Sequence, residues 1–281
     1  MIDFVIPLAD WVNAGFKVIS YHLSPILRSL SEILEVLIRQ FESILLWPPE
    51  AVLMALTGLI VWRLATPRLA VFAVLGFLAA FGMGVWEETM ATIALALSGT
   101  AVSLLFGVPL GILASQNNMA ERIIRPVLDF MQTLPSFVYL IPAVMFFGMG
   151  KVAALVATMI FAMPPAVRLT NLGIREVSGE MVEAARAFGS NRWQTLMDVQ
   201  LPLALPTIMA GVNQCIMMSL AMTVIASMIG AGGLGLVVLR SMQTLDIGMG
   251  AVGGISIVIL AILLDRLTET ISRKQKAGRD I

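Results

Sequence analysis

The stretch TMATIALALSGTAVSLLFGVPLGILAS, Thr89 to Ser115, runs for 27 residues without a charge. As a helix rising about 1.5 Å per residue it would reach roughly 40 Å, more than the ~30 Å hydrocarbon core of a bilayer. Working outward, further apolar segments lie at 51–64, 69–86, 126–148, 151–169, 203–228 and 247–266. Together they predict an all-α, polytopic membrane protein with about seven transmembrane helices. The first segment is short, bounded by Trp47-Pro48-Pro49-Glu50 and by Arg63. Composition agrees: 58% of the residues are hydrophobic and 13% charged, against about 45–50% and about a quarter in soluble domains. That apolar excess is too large for one water-soluble core of this size, so lipid is its solvent.

Charge and rare residues exclude several function classes. Formal net charge is zero, so no basic patch points to nucleic acid. The single cysteine, Cys215, lies in an apolar run. It excludes an internal disulfide or a thiolate metal cluster and reads as a packing residue. The single histidine, His22, has no acidic or cysteine neighbour at metal-ligand spacing and reads as interfacial. Residues 1–23 contain Asp3, Asp10 and Lys17 and lack the basic start and clean apolar run of a cleavable signal, so the first span is expected to direct insertion.

From Ser24 the spacing predicts an amphipathic helix, with Ser24 as cap and Pro25 at the first helical position. Ile26, Leu30, Ile33, Leu34, Leu37, Ile38 and Phe41 fall on one face, and Arg28, Glu32, Glu35 and Arg39 on the other. Such a helix lies on a membrane surface or on partner helices rather than spanning. Residues 1–50 form this interfacial region and 51–86 two leading spans. Residues 87–270 form the main helical core, and 271–281 a basic tail.

Orientation follows the distribution of Lys and Arg. The loops near 64–68, 116–125 and 170–202 and the tail, counted with the bordering Arg63, Arg168 and Arg266, hold 13 of the 18 basic residues, which makes that side cytoplasmic. An odd number of spans then places the N-terminus outside and the C-terminus inside. Pro109, Pro135, Pro142, Pro164, Pro165 and Pro206 interrupt the spans, while Gly107 and Gly111 make a small-residue face. No ionisable group falls near the middle of the third, fifth or sixth span, where an ion-coupled carrier needs one. No G-x-x-x-x-G-K-[ST] loop is present either. Energy for active transport must therefore come from another subunit.

The longest interior loop, 170–202, carries the mechanism. Ser178 can cap a short helix running through about Phe188, Gly189 suits a left-handed terminus, and Ser190 or Asn191 can cap a second turn. Met181, Val182, Phe188, Trp193, Leu196 and Met197 make this loop more apolar than a free surface requires. Glu183-Ala184-Ala185, then Gly189, Val199 and Leu201-Pro202, resembles the EAA loop of binding-protein-dependent ABC importer permeases, with Val199 where the family has Ile.

The resemblance extends over about 89–270. RPVLDFMQTLP (125–135), FVYLIP (137–142), QLPLALPTIMAGVNQ (200–214), VIASMIGAGGLG (224–235) and LDRLT (264–268) are similar to the glycine betaine/proline betaine permeases, including choline-carrying relatives. This implies an ABC type I importer permease core rather than an enzyme, in the bacterial inner membrane. It implies a homodimer, two ATPase subunits that hold ATP and Mg, and a periplasmic or tethered solute-binding protein. It also implies ATPase coupling through Glu183, Ala184, Ala185, Gly189, Leu201 and Pro202.

Phe137, Tyr139, Phe146, Met218 and Met222 are candidates for the translocation path of a trimethylammonium solute; helix packing explains the same residues. The glycines from Gly230 to Gly235 are expected to form a tight outer loop. The alternatives are a stand-alone carrier or channel, which lacks its intramembrane charges here, and a scaffold, which does not explain the loop spacing.

Overall fold

A computed structural model describes residues 7–277, and every regular element among them is helical. The order is α1 (Leu8–Leu46), α2 (Glu50–Leu64), α3 (Pro67–Gly82), α4 (Trp86–Gln116), α5 (Asn118–Thr133) and α6 (Ser136–Phe147). Then come α7 (Lys151–Arg175), α8 (Gly179–Ala187), α9 (Arg192–Gln194), α10 (Leu201–Ala226), α11 (Leu234–Thr244) and α12 (Ile247–Ala277). Asp3 of the N-terminal region and Arg279 of the basic tail lie outside the described residues.

The centre of the bundle is α7, held between α4 and α10. On α4, Gly99, Ser103, Gly107 and Gly111 recur every fourth residue and leave one face without a bulky side chain. A methyl group at Gly111 would lie 2.6 Å from Thr170 Cβ and 2.7 Å from the Val167 carbonyl oxygen. One at Gly99 would lie 2.6 Å from Thr158 Cγ2. The two backbones are therefore closer than any larger residue permits. Ser103 Oγ donates to Gly99 O at 2.7 Å and lies 3.2 Å from Met159 O of α7, adding a polar tie across the seam. Layers close on both sides of this trio. Val61, Phe77, Met90, Leu220 and Leu260 form one core with α2, α3 and α12, while Ile38, Tyr139, Leu155 and Met222 form the other with α1 and α6.

Four helical runs are long and apolar enough to cross a bilayer: Trp86–Gln116, Lys151–Arg175, Arg192–Ile229 and Ile247–Ser272. Bent pairs, α1 with α2 at 98° and α5 with α6 at 102°, raise the number to as many as six. The continuous span expected over 126–148 is thus broken. Leu134 is extended because the ring of Pro135 disfavours a helical residue before it. The Tyr139 hydroxyl of α6 donates to Met131 O, and Thr133 Oγ1 donates to Phe130 O at 3.0 Å. Carbonyls stranded at the end of α5 thereby find donors. The second expected segment, 69–86, ends instead at Gly82. Gly84 (φ +72°) turns the chain, and Trp86 opens α4.

The helix expected to begin at Ser24 begins much earlier. α1 is continuous across Pro25. Proline removes the donor that would reach Tyr21 O, and Ser24 Oγ donates there instead, at 3.0 Å. Leu34 and Ile38 are buried against the bundle, whereas Ile26, Leu30, Ile33 and Ile44 remain exposed. Glu42 anchors this helix to the start of α7 through Lys151, at 2.5 Å.

Gly111→Ala should destabilise the purified protein by about 1–3 kcal/mol, because the neighbouring backbone must move. Gly82→Ala, with nothing within 4 Å of the added carbon, should be neutral or mildly stabilising. Thermal unfolding in detergent checks both, and equal midpoints for the two variants would contradict the close α4–α7 seam.

Candidate functional site

Between α7 and α10 the chain builds a compact helix–turn–helix. Ser178 precedes α8, but its side chain makes no capping bond, contrary to expectation; its carbonyl accepts from Met181 N at 3.2 Å. The end of α8 follows the sequence closely. Gly189 takes φ +89°, Ser190 N donates to Ala185 O at 3.1 Å, and Gly189 N donates to Arg186 O at 2.9 Å. This pair of bonds is the Schellman arrangement that glycine makes accessible. Asn191 then starts α9 with reciprocal bonds to Gln194, both 2.9 Å. A widened turn over Thr195–Gln200 leads into α10 just before Pro202, which cannot donate to the helical ladder.

The loop has an anchored side and a free side. Leu196 is buried with Ile174 of α7 and Ala204 and Ile208 of α10. Phe188 is 92% exposed and Trp193 65%, with Met181 also outward. Glu183 and Ala184 are exposed, while Ala185, Leu201 and Pro202 are half-buried. Among the described residues Glu183 has no ion-pair partner. The arrangement is a rigid surface knob whose apolar tip lacks a cover.

Beside it lies a polar cleft of about 330 Å³ between α5 and α7. Arg175 is its hub: it donates to Ala114 O at 2.8 Å, Asn118 Oδ1 at 2.9 Å and Asn171 Oδ1 at 2.9 Å, and pairs with Glu121 at 3.0 Å. Arg168 pairs with Asp129. Sequence reasoning missed this cluster. Its signal was the four-residue spacing of Glu121, Arg125 and Asp129 facing Arg168, Asn171 and Arg175 at helical spacing.

The path candidates do not meet in one cavity of the single chain. Tyr139 and Met222 are buried in the same core, and Tyr139 lies 6.2 Å from the Phe161 ring. Phe137 points outward, the Phe146 ring lies tilted against that of Phe16 with centroids 4.7 Å apart, and Met218 is half-buried. The expected glycine loop is shorter than 230–235, since Leu234 already opens α11 and its N–H donates to Thr92 Oγ1 at 2.8 Å. A further tie joins α10 to α12, where Asn213 Nδ2 donates to Asp265 Oδ1 at 3.0 Å and Thr268 Oγ1 donates to Asn213. Cys215 is buried, and His22 is exposed with Nδ1 2.9 Å from Val18 O.

Residues 107–277 match the family described as binding-protein-dependent transport system inner membrane component. The chain is 45% identical, over 97% of its length and 77% of the relative's, to the glycine betaine/proline betaine transport system permease protein ProW of Escherichia coli (strain K12). It is 55% identical, over 74% of each chain, to the glycine betaine/carnitine transport permease protein GbuB of Listeria monocytogenes serotype 1/2a (strain 10403S). Its fold is similar to that of a chain of the MetNI methionine ABC transporter, with a TM-score of 0.62 at 22% identity over 66% of this chain and 93% of that one.

Arg175→Ala removes the hub of the α5–α7 cluster and should cost about 1.5–3 kcal/mol, since it strands charged and backbone partners. Arg175→Lys should recover only part of that, because an ammonium cannot reproduce the guanidinium fork. Denaturation midpoints of the two variants test this; an unchanged Arg175→Ala midpoint contradicts it.

Proposed function

The chain belongs to the binding-protein-dependent transport system inner membrane components, and from that premise we propose that it translocates small quaternary amines under control of the loop at 178–200. Members of this family are multi-pass permease subunits of ABC systems in the inner membrane, and ATP is bound and hydrolysed on a separate subunit. The proposed substrate class is that of its relatives, whose names specify glycine betaine, proline betaine and carnitine.

The observation that carries the coupling role is the two-sided loop. Leu196 fixes it to α7 and α10, while Phe188, Trp193, Glu183 and Ala184 face outward. We assign the groove of an ATPase subunit to that outward face. Ala184 and Ala185 permit close approach, Glu183 supplies a charged contact, and Gly189 aims the tip. Closure of two ATPases on ATP then pushes α8 as a rigid body. Leu201 and Pro202 pass the displacement into α10, and α7 moves with it because α8 follows directly from its end. Two copies of the chain form the path along a two-fold axis, and a binding protein delivers solute at the outer face. Phe137, Tyr139, Phe146, Met218 and Met222 are proposed to border that path as the helices shift.

The same reading takes α2, α3, α4, the α5–α6 pair, α7, α10 and α12 as seven crossing elements, with the N-terminus outside and the C-terminus in the cytoplasm. α2 and α3 have 15 and 16 residues, about 22–24 Å of helix, so local thinning of the bilayer accompanies them. Residues 87–270 are the permease core, 51–86 the leading helices, 1–50 the interfacial region and 271–281 the basic tail.

Proteoliposomes containing this chain, its ATPase and its binding protein should accumulate labelled glycine betaine only with internal ATP and binding protein. Uptake by the chain alone, without nucleotide, would overturn the proposal in favour of a carrier. Gly189→Val forces a β-branched residue into the left-handed region, at a cost of about 1–2 kcal/mol. It should preserve assembly while lowering uptake per ATP hydrolysed at least several-fold; an unchanged ratio would remove Gly189 from the coupling role.

A further inference from the structure

A second cleft lies where the start of α3 meets the lower part of α12. It is a shallow, open groove of about 270 Å³ lined by Thr66, Arg68, Leu69, Phe72, Arg266 and Thr270. Arg68 is exposed in the first turn of α3 and has no carboxylate partner among the described residues. Arg266 uses one N–H on Glu269 at 2.9 Å, which leaves most of its five donors for another acceptor. Thr66 Oγ1 accepts from Leu69 N at 3.3 Å, so its own proton is available to donate. The first turn of α3 also presents the positive end of that helix. The Glu269 carboxylate offsets one of the two guanidinium charges, and the net positive charge left at the cleft favours an anion.

The surroundings identify the anion. One step into the bundle, Gly76 of α3 packs directly against Ile259 of α12, in the antiparallel register that brings Arg68 opposite Arg266. Between the cleft and that contact, Val71 and Leu75 of α3, which line the groove towards α2, and Ile262 of α12 are exposed and apolar; beyond it Leu78, Ile255 and Val258 continue the two ridges. These recur at helical spacing on surfaces that face lipid tails. A ligand with phosphate at the cleft and acyl chains along these ridges satisfies both halves of the surface. We propose that Arg68 and Arg266, with the Thr66 hydroxyl, bind the head-group phosphate of an anionic phospholipid. Its placement in the inner leaflet rests on the orientation proposed above; the site itself does not.

The test reads lipid retention rather than transport, so it is independent of the importer reading. The full chain is extracted, exchanged into detergent with phosphatidylglycerol or phosphatidylcholine of identical chains, and weighed intact by native mass spectrometry. Wild type should retain phosphatidylglycerol with roughly ten-fold or greater preference. Arg68→Gln/Arg266→Gln should lose that preference, while Arg68→Lys/Arg266→Lys keeps most of it. Arg122→Gln/Arg240→Gln, which removes two exposed charges elsewhere, should behave as wild type. If the double glutamine variant does not survive extraction, Arg68→Gln alone decides, with at least a threefold loss expected. Equal retention of both lipids by wild type, or undiminished retention by the cleft variants, overturns the proposal. So does an inorganic phosphate adduct that disappears in the variants while phosphatidylglycerol retention does not, since that assigns the cleft to a free anion.

Discussion

The close seam between α4 and α7 is the contact on which the rest of the molecule depends. Lipid tails are as apolar as leucine, so no hydrophobic force drives two membrane helices together; packing and short polar contacts must do it. Gly99, Gly107 and Gly111 let α4 approach the backbone of α7, and Ser103 adds a hydroxyl across the gap. On the other flank of α7, Gly211 of α10 approaches the Pro165 carbonyl. With both flanks this tight, α7 cannot slide past its neighbours in small steps.

The attachments of this packed group are the irregular parts, and several of their backbone groups are paired by side chains. Hydrocarbon offers no water to a freed carbonyl. The break between α5 and α6 carries its own donors in Tyr139 and Thr133. The glycine loop after α10 is tied to α4 through Leu234 and Thr92. The breaks are thus built features, in which a bend is stable because side chains replace the lost helical bonds.

The helix–turn–helix after α7 illustrates how rigidity and exposure are combined. Its turn is determined by glycine stereochemistry and two backbone bonds, and its base by one buried leucine. The polar cluster around Arg175 clamps α5 to the lower end of α7, immediately before the loop begins. α8 thus stands on a hydrogen-bonded base rather than on a flexible tether.

Some of this was written in the local sequence. The uncharged run from Thr89 to Ser115, the apolar excess and the four-residue repeat of small residues determined a helical membrane bundle, because burial in lipid admits few alternatives. Gly189 and Asn191 determined the turn of the loop between α7 and α10, since left-handed backbone and side-chain capping are local properties. Tertiary structure decided what depends on partners distant in sequence. It selected which apolar residues of α1 are buried, bent the segment at Leu134 and paired Arg175 with Glu121. It also brought Arg68 beside Arg266 and kept Tyr139 and Met222 in a packed core. A charge or an aromatic ring declares its chemistry from sequence, but only the folded chain declares its neighbour, because that neighbour is chosen by the packing of entire helices.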